Sequence, residues 1–203
     1  MHNRYWYKGK MNKKEGWAVW FVGLPGCGKS SISKEIYKYL TEKGLEVVYL
    51  QLDEWRKKYF PEAGYTEEDR KKVYEKFGDY GIELVNKGKG VIFDATAYKV
   101  WMRRRVREKI KKFAEIYIQC SIETAMKRES SRPKGLVMAE IYAKALERKR
   151  TGKEFPGLGE VIGIDVPFEE DPEAELVVEN DTLSLDEAVK LVKDFINNWL
   201  NLR

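Results

Sequence analysis

The residues with the clearest capacity for chemistry form a glycine-rich run at 23–30, which reads GLPGCGKS. The run fits G-x-x-x-x-G-K-[ST], a pattern whose backbone N–H groups wrap a polyphosphate. Glycine is needed because a Cβ atom would hold the backbone away from the phosphates. Lys29 can then reach the β- and γ-phosphates, and the Ser30 hydroxyl can bind Mg²⁺. The run therefore predicts a nucleoside triphosphate site, made of Gly23, Leu24, Pro25, Gly26, Cys27, Gly28, Lys29, Ser30 and Ser31.

The segments on either side of this P-loop support that prediction. Residues 17–22 (WAVWFV) are apolar, aromatic and β-branched, which is typical of a buried strand. Residues 31–40 carry apolar side chains at helical spacing, and Lys43-Gly44 then supplies a basic last turn and a glycine stop. A strand–loop–helix unit places bound phosphates at a helix N-terminus, where free N–H groups and the helix dipole favour anions.

The remaining chain continues the alternation of strands and helices. Four more strands are predicted, at 45–50, 90–94, 114–120 and 175–179. Further helices are predicted from the cap Thr66 to about Val85, over 99–112, after the cap Ser121 and after the cap Ser184. This order indicates an α/β P-loop NTPase fold, with a five-stranded parallel sheet and helices on both faces.

Three segments differ in their expected roles. Residues 1–16 form a basic, aromatic extension, and residues 17–203 form a single kinase domain. Residues from about 129 to 163 are rich in Gly, Arg and Lys, and we expect a mobile basic lid with only short helical stretches.

Cysteine usage and hydropathy limit the class of protein. The 203-residue chain has two cysteines, Cys27 and Cys120, without a C-x-x-C pair. That pattern argues against a disulfide framework or a zinc site and for a reducing cytoplasm. No apolar run approaches the roughly 20 residues of a membrane span, and no secretory signal pattern is present. We therefore expect a cytoplasmic protein without a membrane partner.

The net charge of +5 conceals a strong asymmetry along the chain. Residues 99–153 carry 17 basic and 6 acidic side chains, whereas residues 154–203 carry 3 basic and 13 acidic ones. A basic segment of this kind could hold a polyanion.

Small size and a basic lid favour a small-molecule kinase, which needs a carboxylate near the acceptor hydroxyl and cations around the phosphoryl group. Asp53 is the first choice for the carboxylate, because it follows a strand expected beside the P-loop strand. Asp94 competes, as an acidic residue at the end of an apolar strand that could hold Mg²⁺ through water. Either residue could instead cap a helix. The candidate phosphate clamps are Arg56, Arg70, Arg128, Arg132, Lys134, Arg148 and Lys153.

Over about residues 16–196 the sequence resembles the adenylylsulfate kinase family. The P-loop is similar to the family's G-L-S-G-x-G-K-S-T, and residues 64–70 (GYTEEDR) are similar to G-F-S-x-E-D-R. Residues 163–169 (GIDVPFE) are similar to G-I-D-D-P-Y-E, which no general P-loop requirement explains. The resemblance implies transfer of phosphate from MgATP to the 3′-hydroxyl of adenosine 5′-phosphosulfate, a step of sulfate activation.

The resemblance also assigns roles to single residues. Asp53 would take the 3′-hydroxyl proton or orient that oxygen, while Arg56 and Arg70 would hold the phosphosulfate. Thr96 stands at the position of a family serine. Three lid residues would contact the substrate, namely Lys134, Gly135 and Leu136.

Several positions depart from the family pattern, chiefly around the acceptor. Gln51 and Leu52 replace the first Asp and Gly of D-G-D, and Val73 stands where Asn is expected. Val161 aligns with a Phe expected to stack on adenine, and Phe155 in a local insertion is the candidate to replace it.

The alternative function is a related kinase acting on another metabolite hydroxyl, on seryl-tRNA or on a nucleic-acid 5′ end. The basic residues 103–107 (RRRVR) would then form a track for a phosphate backbone. A regulatory P-loop module without enzymatic activity is a third possibility. The resemblance to adenylylsulfate kinases favours a small-molecule substrate over a nucleic-acid partner. The sequence leaves the oligomeric state open, with a homodimer as one option.

Overall fold

A five-stranded sheet forms the centre of the protein, and every neighbouring pair of its strands is parallel. The computed structural model describes residues 15–131 and 140–202. The strands are β1 (Trp17–Val22), β2 (Val47–Gln51), β3 (Gly90–Asp94), β4 (Phe113–Gln119) and β5 (Leu176–Glu179). They lie in the order β2-β3-β1-β4-β5.

The helices of the described residues cover both faces of this sheet. They are α1 (Lys29–Glu42), α2 (Leu52–Tyr59), α3 (Glu67–Asn86), α4 (Val100–Arg107), α5 (Ile122–Ser130), α6 (Ile141–Thr151) and α7 (Leu185–Leu200). The sequence prediction of a parallel α/β sheet with helices on both faces is confirmed.

Two hydrophobic cores meet at β1, because successive side chains of a strand point to opposite faces. Val19 and Phe21 pack into the core that contains the apolar faces of α1 and α7. Trp20 packs into the other core, with α3 and α4, and stacks on Phe93 at 4.6 Å between ring centroids. All six residues of β1 are buried, so the strand that precedes the P-loop is held rigidly.

The strand order corrects one premise about the site. β3, not β2, is the neighbour of β1, with Phe21 paired to Asp94. β2 lies one strand further out, with Gln51 also paired to Asp94. The expectation that Asp53 follows a strand beside the P-loop strand is therefore wrong, although the carboxyl ends of all three strands share one edge of the sheet.

Local capping signals are confirmed at three helices. The side-chain oxygens of Thr66, Ser121 and Ser184 accept hydrogen bonds from the backbone N–H groups of residues 69, 124 and 187. These bonds satisfy N–H groups that have no partner inside the helix, which is why such residues mark helix starts.

Three elements differ from the sequence prediction. Helix α2 begins directly after β2 and was not predicted, and α4 ends at Arg107 instead of residue 112. The prediction that residues 129–163 hold only short helical stretches is wrong, because α6 is an eleven-residue helix. Ile141, Tyr142 and Ala145 bury its inner face in the core beside the P-loop, which explains why it forms.

Candidate active site

The P-loop adopts a backbone conformation that requires glycine. Gly23, Gly26 and Gly28 have φ values of 141°, 89° and 99°, a region that L side chains rarely adopt. A Cβ atom on Gly26 would lie 2.4 Å from the backbone oxygen of Ala125, and one on Gly23 would lie 2.3 Å from that of Ile118. The loop thus packs directly against the backbone at the end of β4 and in α5.

Distant residues hold the outer side of the loop. The Asn180 side chain, which is buried, donates from Nδ2 to the carbonyl oxygen of Cys27 at 2.8 Å. The buried Tyr142 hydroxyl donates to the Pro25 carbonyl oxygen at 2.7 Å. These bonds fix the loop carbonyls, so the N-terminus of α1 has its free N–H groups available for an anion. Sequence reasoning missed both residues, since neither belongs to a local motif.

Lys29, Ser30 and Asp94 meet at the mouth of the loop. Lys29 Nζ donates to the Leu24 carbonyl oxygen at 3.3 Å. Ser30 Oγ donates to Asp94 Oδ1 at 3.0 Å, and Asp94 is 3% exposed. This contact follows from the strand order, because β3 lies directly beside β1. A hydroxyl and a carboxylate at this separation are the oxygen ligands that Mg²⁺ prefers, directly or through water.

Asp53 reaches the same site from a different element. It lies in the first turn of α2, and its side chain is exposed to solvent in the cleft beside the P-loop. The pKa of its carboxyl is raised above the ordinary value, mainly because surrounding protein displaces water in the cleft. Lys29 opposes this rise and Asp94 adds to it. Both candidate carboxylates therefore belong to one electrostatic unit with the P-loop lysine.

One cavity of about 510 Å³ joins the P-loop to the predicted acceptor residues. Its size is within the range usual for small-molecule sites. The residues on its wall include Pro25, Lys29, Ser30, Lys34, Asp53, Arg56, Tyr65, Arg70, Asp94, Thr96, Glu160 and Val161.

Two arginines form one wall of the cavity and are held in place by backbone oxygens. Arg56 donates to the carbonyl oxygens of Ala63 and Gly64, and its guanidinium lies 3.9 Å from the centroid of the Tyr65 ring. Arg70 is only 5% exposed and donates to the carbonyl oxygens of Tyr65 and Glu160. The positive charges are thus positioned before any anion binds.

A model of the family described as adenylylsulphate kinase matches residues 15–179. The chain belongs to the adenylylsulphate kinase family. A probable adenylyl-sulfate kinase of Halalkalibacterium halodurans is 31% identical over 194 residues, covering 93% of this chain and 86% of the relative. A probable adenylyl-sulfate kinase of Archaeoglobus fulgidus is 34% identical over 164 residues, covering 80% of this chain and 95% of the relative.

Two solved structures share the fold of this chain. The APS kinase CysC of Mycobacterium tuberculosis, in complex with AMPPNP and APS, has a TM-score of 0.74 and 26% identity, covering 91% of this chain and 99% of that chain. A hexameric APS kinase from Thiobacillus denitrificans has a TM-score of 0.64 at 22% identity, covering 94% of this chain and 30% of that chain. At that identity the second match supports the fold alone.

The positions inferred from the adenylylsulphate kinase resemblance divide into three groups. Asp53, Arg56, Arg70 and Thr96 all line the cavity. Phe155 is not among the residues of the cavity wall, and Lys153 Nζ lies 4.8 Å from the centroid of its ring. The predicted lid contacts Lys134, Gly135 and Leu136 lie outside the described residues, as does the clamp candidate Arg132.

Tyr65 is an aromatic residue of the cavity wall that the sequence prediction did not assign. It lies inside the GYTEEDR segment that carries the family resemblance, so an aromatic ring next to two arginines was an available signal. Gly159 packs against it, since a Cβ atom there would lie 2.4 Å from Tyr65 Cβ. Val161, where a family Phe is expected, is buried in the core and also reaches the cavity.

The basic residues at 99–107 form ion pairs within the chain, three of them with the acidic residues Glu169, Asp171 and Glu175. The ion pairs are Lys99–Glu169, Arg103–Glu115, Arg104–Asp171, Arg105–Asp79 and Arg107–Glu175. The expectation that residues 103–107 could serve as a nucleic-acid track is therefore not supported by their contacts. Charges that appear separated in the sequence are paired within the fold.

Two cations of the predicted lid, Arg148 and Lys153, also form ion pairs within the chain. Arg148 pairs with Asp165 at 2.7 Å, and Lys153 pairs with Glu147 at 2.9 Å. Arg128 instead approaches the P-loop, where its guanidinium lies 3.4 Å from the carbonyl oxygen of Cys27. Of the clamp candidates that the structure describes, only Arg56 and Arg70 line the cavity.

No helix among residues 15–131 and 140–202 is long and apolar enough to cross a membrane.

Proposed function

We propose that this chain transfers the γ-phosphoryl group of ATP to the 3′-hydroxyl of adenosine 5′-phosphosulfate. The observation that carries the proposal is the single cavity in which the P-loop, two carboxylates and two preset arginines converge. The M. tuberculosis relative, whose structure holds AMPPNP and APS, covers 91% of the chain with a TM-score of 0.74. A donor site and an acceptor site in one cavity are what a two-substrate kinase requires.

The donor half is built from the P-loop and Asp94. The N–H groups of the loop and of the start of α1 wrap the phosphates, while Lys29 stabilises charge on the transferring group. Ser30 and Asp94 fit a magnesium ion, because their oxygens lie 3.0 Å apart at the end of the loop. A bound Mg²⁺ would be held by Ser30 and Asp94 and would supply positive charge next to the phosphates of ATP.

The acceptor half is built from α2, the start of α3 and the loop after β3. Asp53 accepts a hydrogen bond from the acceptor hydroxyl and takes its proton. The acceptor oxygen then bonds to the γ-phosphorus, and the bond from that phosphorus to the bridging oxygen breaks, so that ADP leaves. Its raised pKa makes it a stronger base than an ordinary aspartate. Arg56 and Arg70 grip the phosphosulfate, since planar guanidinium groups bind two oxygens at once. Tyr65 offers a ring face for the adenine base, in place of Phe155.

Phosphoryl transfer also needs water to be excluded. The lid at residues 129–163, with Lys134, Gly135 and Leu136 near the substrate, remains our proposal for that role. A homodimer and a cytoplasmic location likewise remain predictions.

The decisive experiment is a turnover assay with MgATP and adenosine 5′-phosphosulfate, in which the product is identified by mass. We expect ADP release that depends on the acceptor, together with a product heavier by one phosphoryl group. Lys29→Ala, assayed under the same conditions, should give no product. ATP turnover that ignores adenosine 5′-phosphosulfate would refute the proposed acceptor.

A further inference from the structure

Behind Asp94 lies a short chain of hydroxyl groups that the proposed reaction does not itself require. Tyr49 in β2 donates from its hydroxyl to Asp94 Oδ2 at 2.7 Å. The same hydroxyl lies 2.9 Å from Oγ of Ser33, which is 0% exposed. Ser30 donates to the other carboxylate oxygen, so both carboxylate oxygens of Asp94 accept a hydrogen bond.

The directions of these hydrogen bonds follow from the number of protons available. An ionised carboxylate only accepts, so the single proton of Tyr49 goes to Asp94. Ser33 then donates to the Tyr49 oxygen at 2.9 Å, which is closer to its Oγ than the Ser30 carbonyl oxygen at 3.4 Å. A tyrosine hydroxyl has an ordinary pKa of about 10, so it carries this proton at physiological pH. The resulting order is Ser33 to Tyr49 to Asp94, and hydrogen bonds in such a series polarise one another.

The bond from Tyr49 matters because the carboxylate of Asp94 rotates easily about its last torsion, and a hydrogen bond to one oxygen limits that rotation. If Ser30 turns its oxygen towards a metal ion, Asp94 loses the bond at Oδ1 but keeps the bond to Tyr49 at Oδ2. Tyr49 itself is fixed by Tyr37, whose ring lies 5.5 Å away between centroids. The hydroxyl of Tyr49 is therefore the contact that can define the direction of Oδ1 during binding.

We propose that Tyr49, supported by Ser33, is a positioning residue that orients the Asp94 carboxylate towards the metal position beside Ser30. The proposal rests on the proposed function, because it assumes that Ser30 and Asp94 hold Mg²⁺. It assigns Tyr49 no contact with either substrate. Residues that hydrogen-bond to a metal-binding group commonly change metal affinity by about 10–100-fold when altered.

The test is calorimetric binding of AMPPNP to the full chain over a range of Mg²⁺ concentrations, without any acceptor. In Tyr49→Phe we expect the Mg²⁺ concentration needed for half of the metal-dependent binding to rise by about 10-fold. AMPPNP binding in the absence of Mg²⁺ should stay within twofold of the wild type. Ser33→Ala should shift the Mg²⁺ dependence in the same direction by a smaller factor.

Tyr37→Phe is the matched control. Within residues 15–131 and 140–202 the structure records no hydrogen bond from the Tyr37 hydroxyl, although its ring packs on Tyr49. This variant should match the wild type at all Mg²⁺ concentrations. An unchanged Mg²⁺ dependence in Tyr49→Phe would overturn the proposal, as would an equal loss of AMPPNP binding with and without Mg²⁺. Because no acceptor is present, the result is independent of which hydroxyl the enzyme phosphorylates.

Discussion

Arg103→Met tests whether the basic helix serves the fold and not an external polyanion. Arg103 is 0% exposed and pairs with Glu115, which is 1% exposed, at 3.0 Å. Its guanidinium also donates to the carbonyl oxygens of Ala97 and Glu169, and so ties the loop that carries Thr96 to β4. Methionine keeps much of the side-chain volume but removes all of these hydrogen bonds.

The expected loss of stability follows from what the substitution leaves behind. Removing one member of a buried ion pair costs about 3–5 kcal/mol, because the remaining charge is buried without a partner. A domain of this size changes its melting temperature by about 2–4 °C per kcal/mol, so Arg103→Met should melt about 6–20 °C below the wild type.

The loss should also depend on pH. Burial, opposed by Arg103, raises the pKa of Glu115 to about 7, and the substitution raises it further. Glu115 then binds a proton more tightly in the folded variant than in the unfolded chain. Protonation therefore stabilises the folded variant at low pH, and this stabilisation is absent at high pH. The difference in unfolding free energy between variant and wild type should therefore be smaller at pH 5 than at pH 8.

Urea unfolding at both pH values measures this difference, with unchanged m-values as the check that folding stays two-state. Arg105→Met is the control, since its pair with Asp79 is partly exposed and should contribute at most about 1 kcal/mol. Arg103→Met/Glu115→Leu should recover part of the loss, because no charge is left unpaired. A loss in Arg103→Met no larger than in Arg105→Met would refute the reasoning.

Three further predictions concern the reaction. Lys29→Ala should abolish transfer while leaving the melting temperature nearly unchanged, because it removes charge stabilisation of the phosphoryl group. Asp53→Asn should lower the rate about 10²–10⁴-fold with little change in ATP affinity. Because the pKa of Asp53 is raised, the wild-type rate should begin to fall with decreasing pH above the ordinary pKa range of an aspartate. The Asp53→Asn variant should not show this fall, because an asparagine does not titrate there. Gly26→Ala should weaken ATP binding about 10-fold or more, as its Cβ would lie 2.4 Å from a backbone oxygen.

Each of these has an outcome that would contradict it. Product formation by Lys29→Ala at the wild-type rate would contradict the role of the P-loop lysine in phosphoryl transfer. If Asp94→Asn is damaging and Asp53→Asn is mild, Asp53 is not the acceptor carboxylate. For Gly26→Ala the control is Gly44→Ala, where φ is also positive but no atom lies within 4 Å of the added Cβ. Equal ATP affinities in the two variants would show that the close backbone contact is unimportant.

The elements that could be predicted are those specified by neighbours in the chain. The P-loop, its buried strand and the caps Thr66 and Ser184 depend on residues within a few positions of one another. Hydrophobic periodicity and capping residues of this kind can be recognised in a sequence without knowledge of its tertiary fold. Four further strands were predicted for the same reason.

Other features depended on contacts between distant positions. Asn180 and Tyr142 support the P-loop from 153 and 117 residues away in the sequence, and no local pattern marks them. Helix α6 forms because the core beside the P-loop buries its inner face, although its sequence is basic. Propensity and composition are weak guides when tertiary burial decides the outcome.

The sequence by itself determined a phosphate-binding loop, a parallel α/β sheet and the family to which the chain belongs. Only the tertiary structure decided that β3 lies between β2 and β1, which brings Asp94 to Ser30 and leaves Asp53 to reach the cavity from α2. It also decided that several cations of residues 99–153 pair with carboxylates of residues 154–203. Both results depend on which distant segments pack together, and that choice is made by burial and charge pairing over the whole fold.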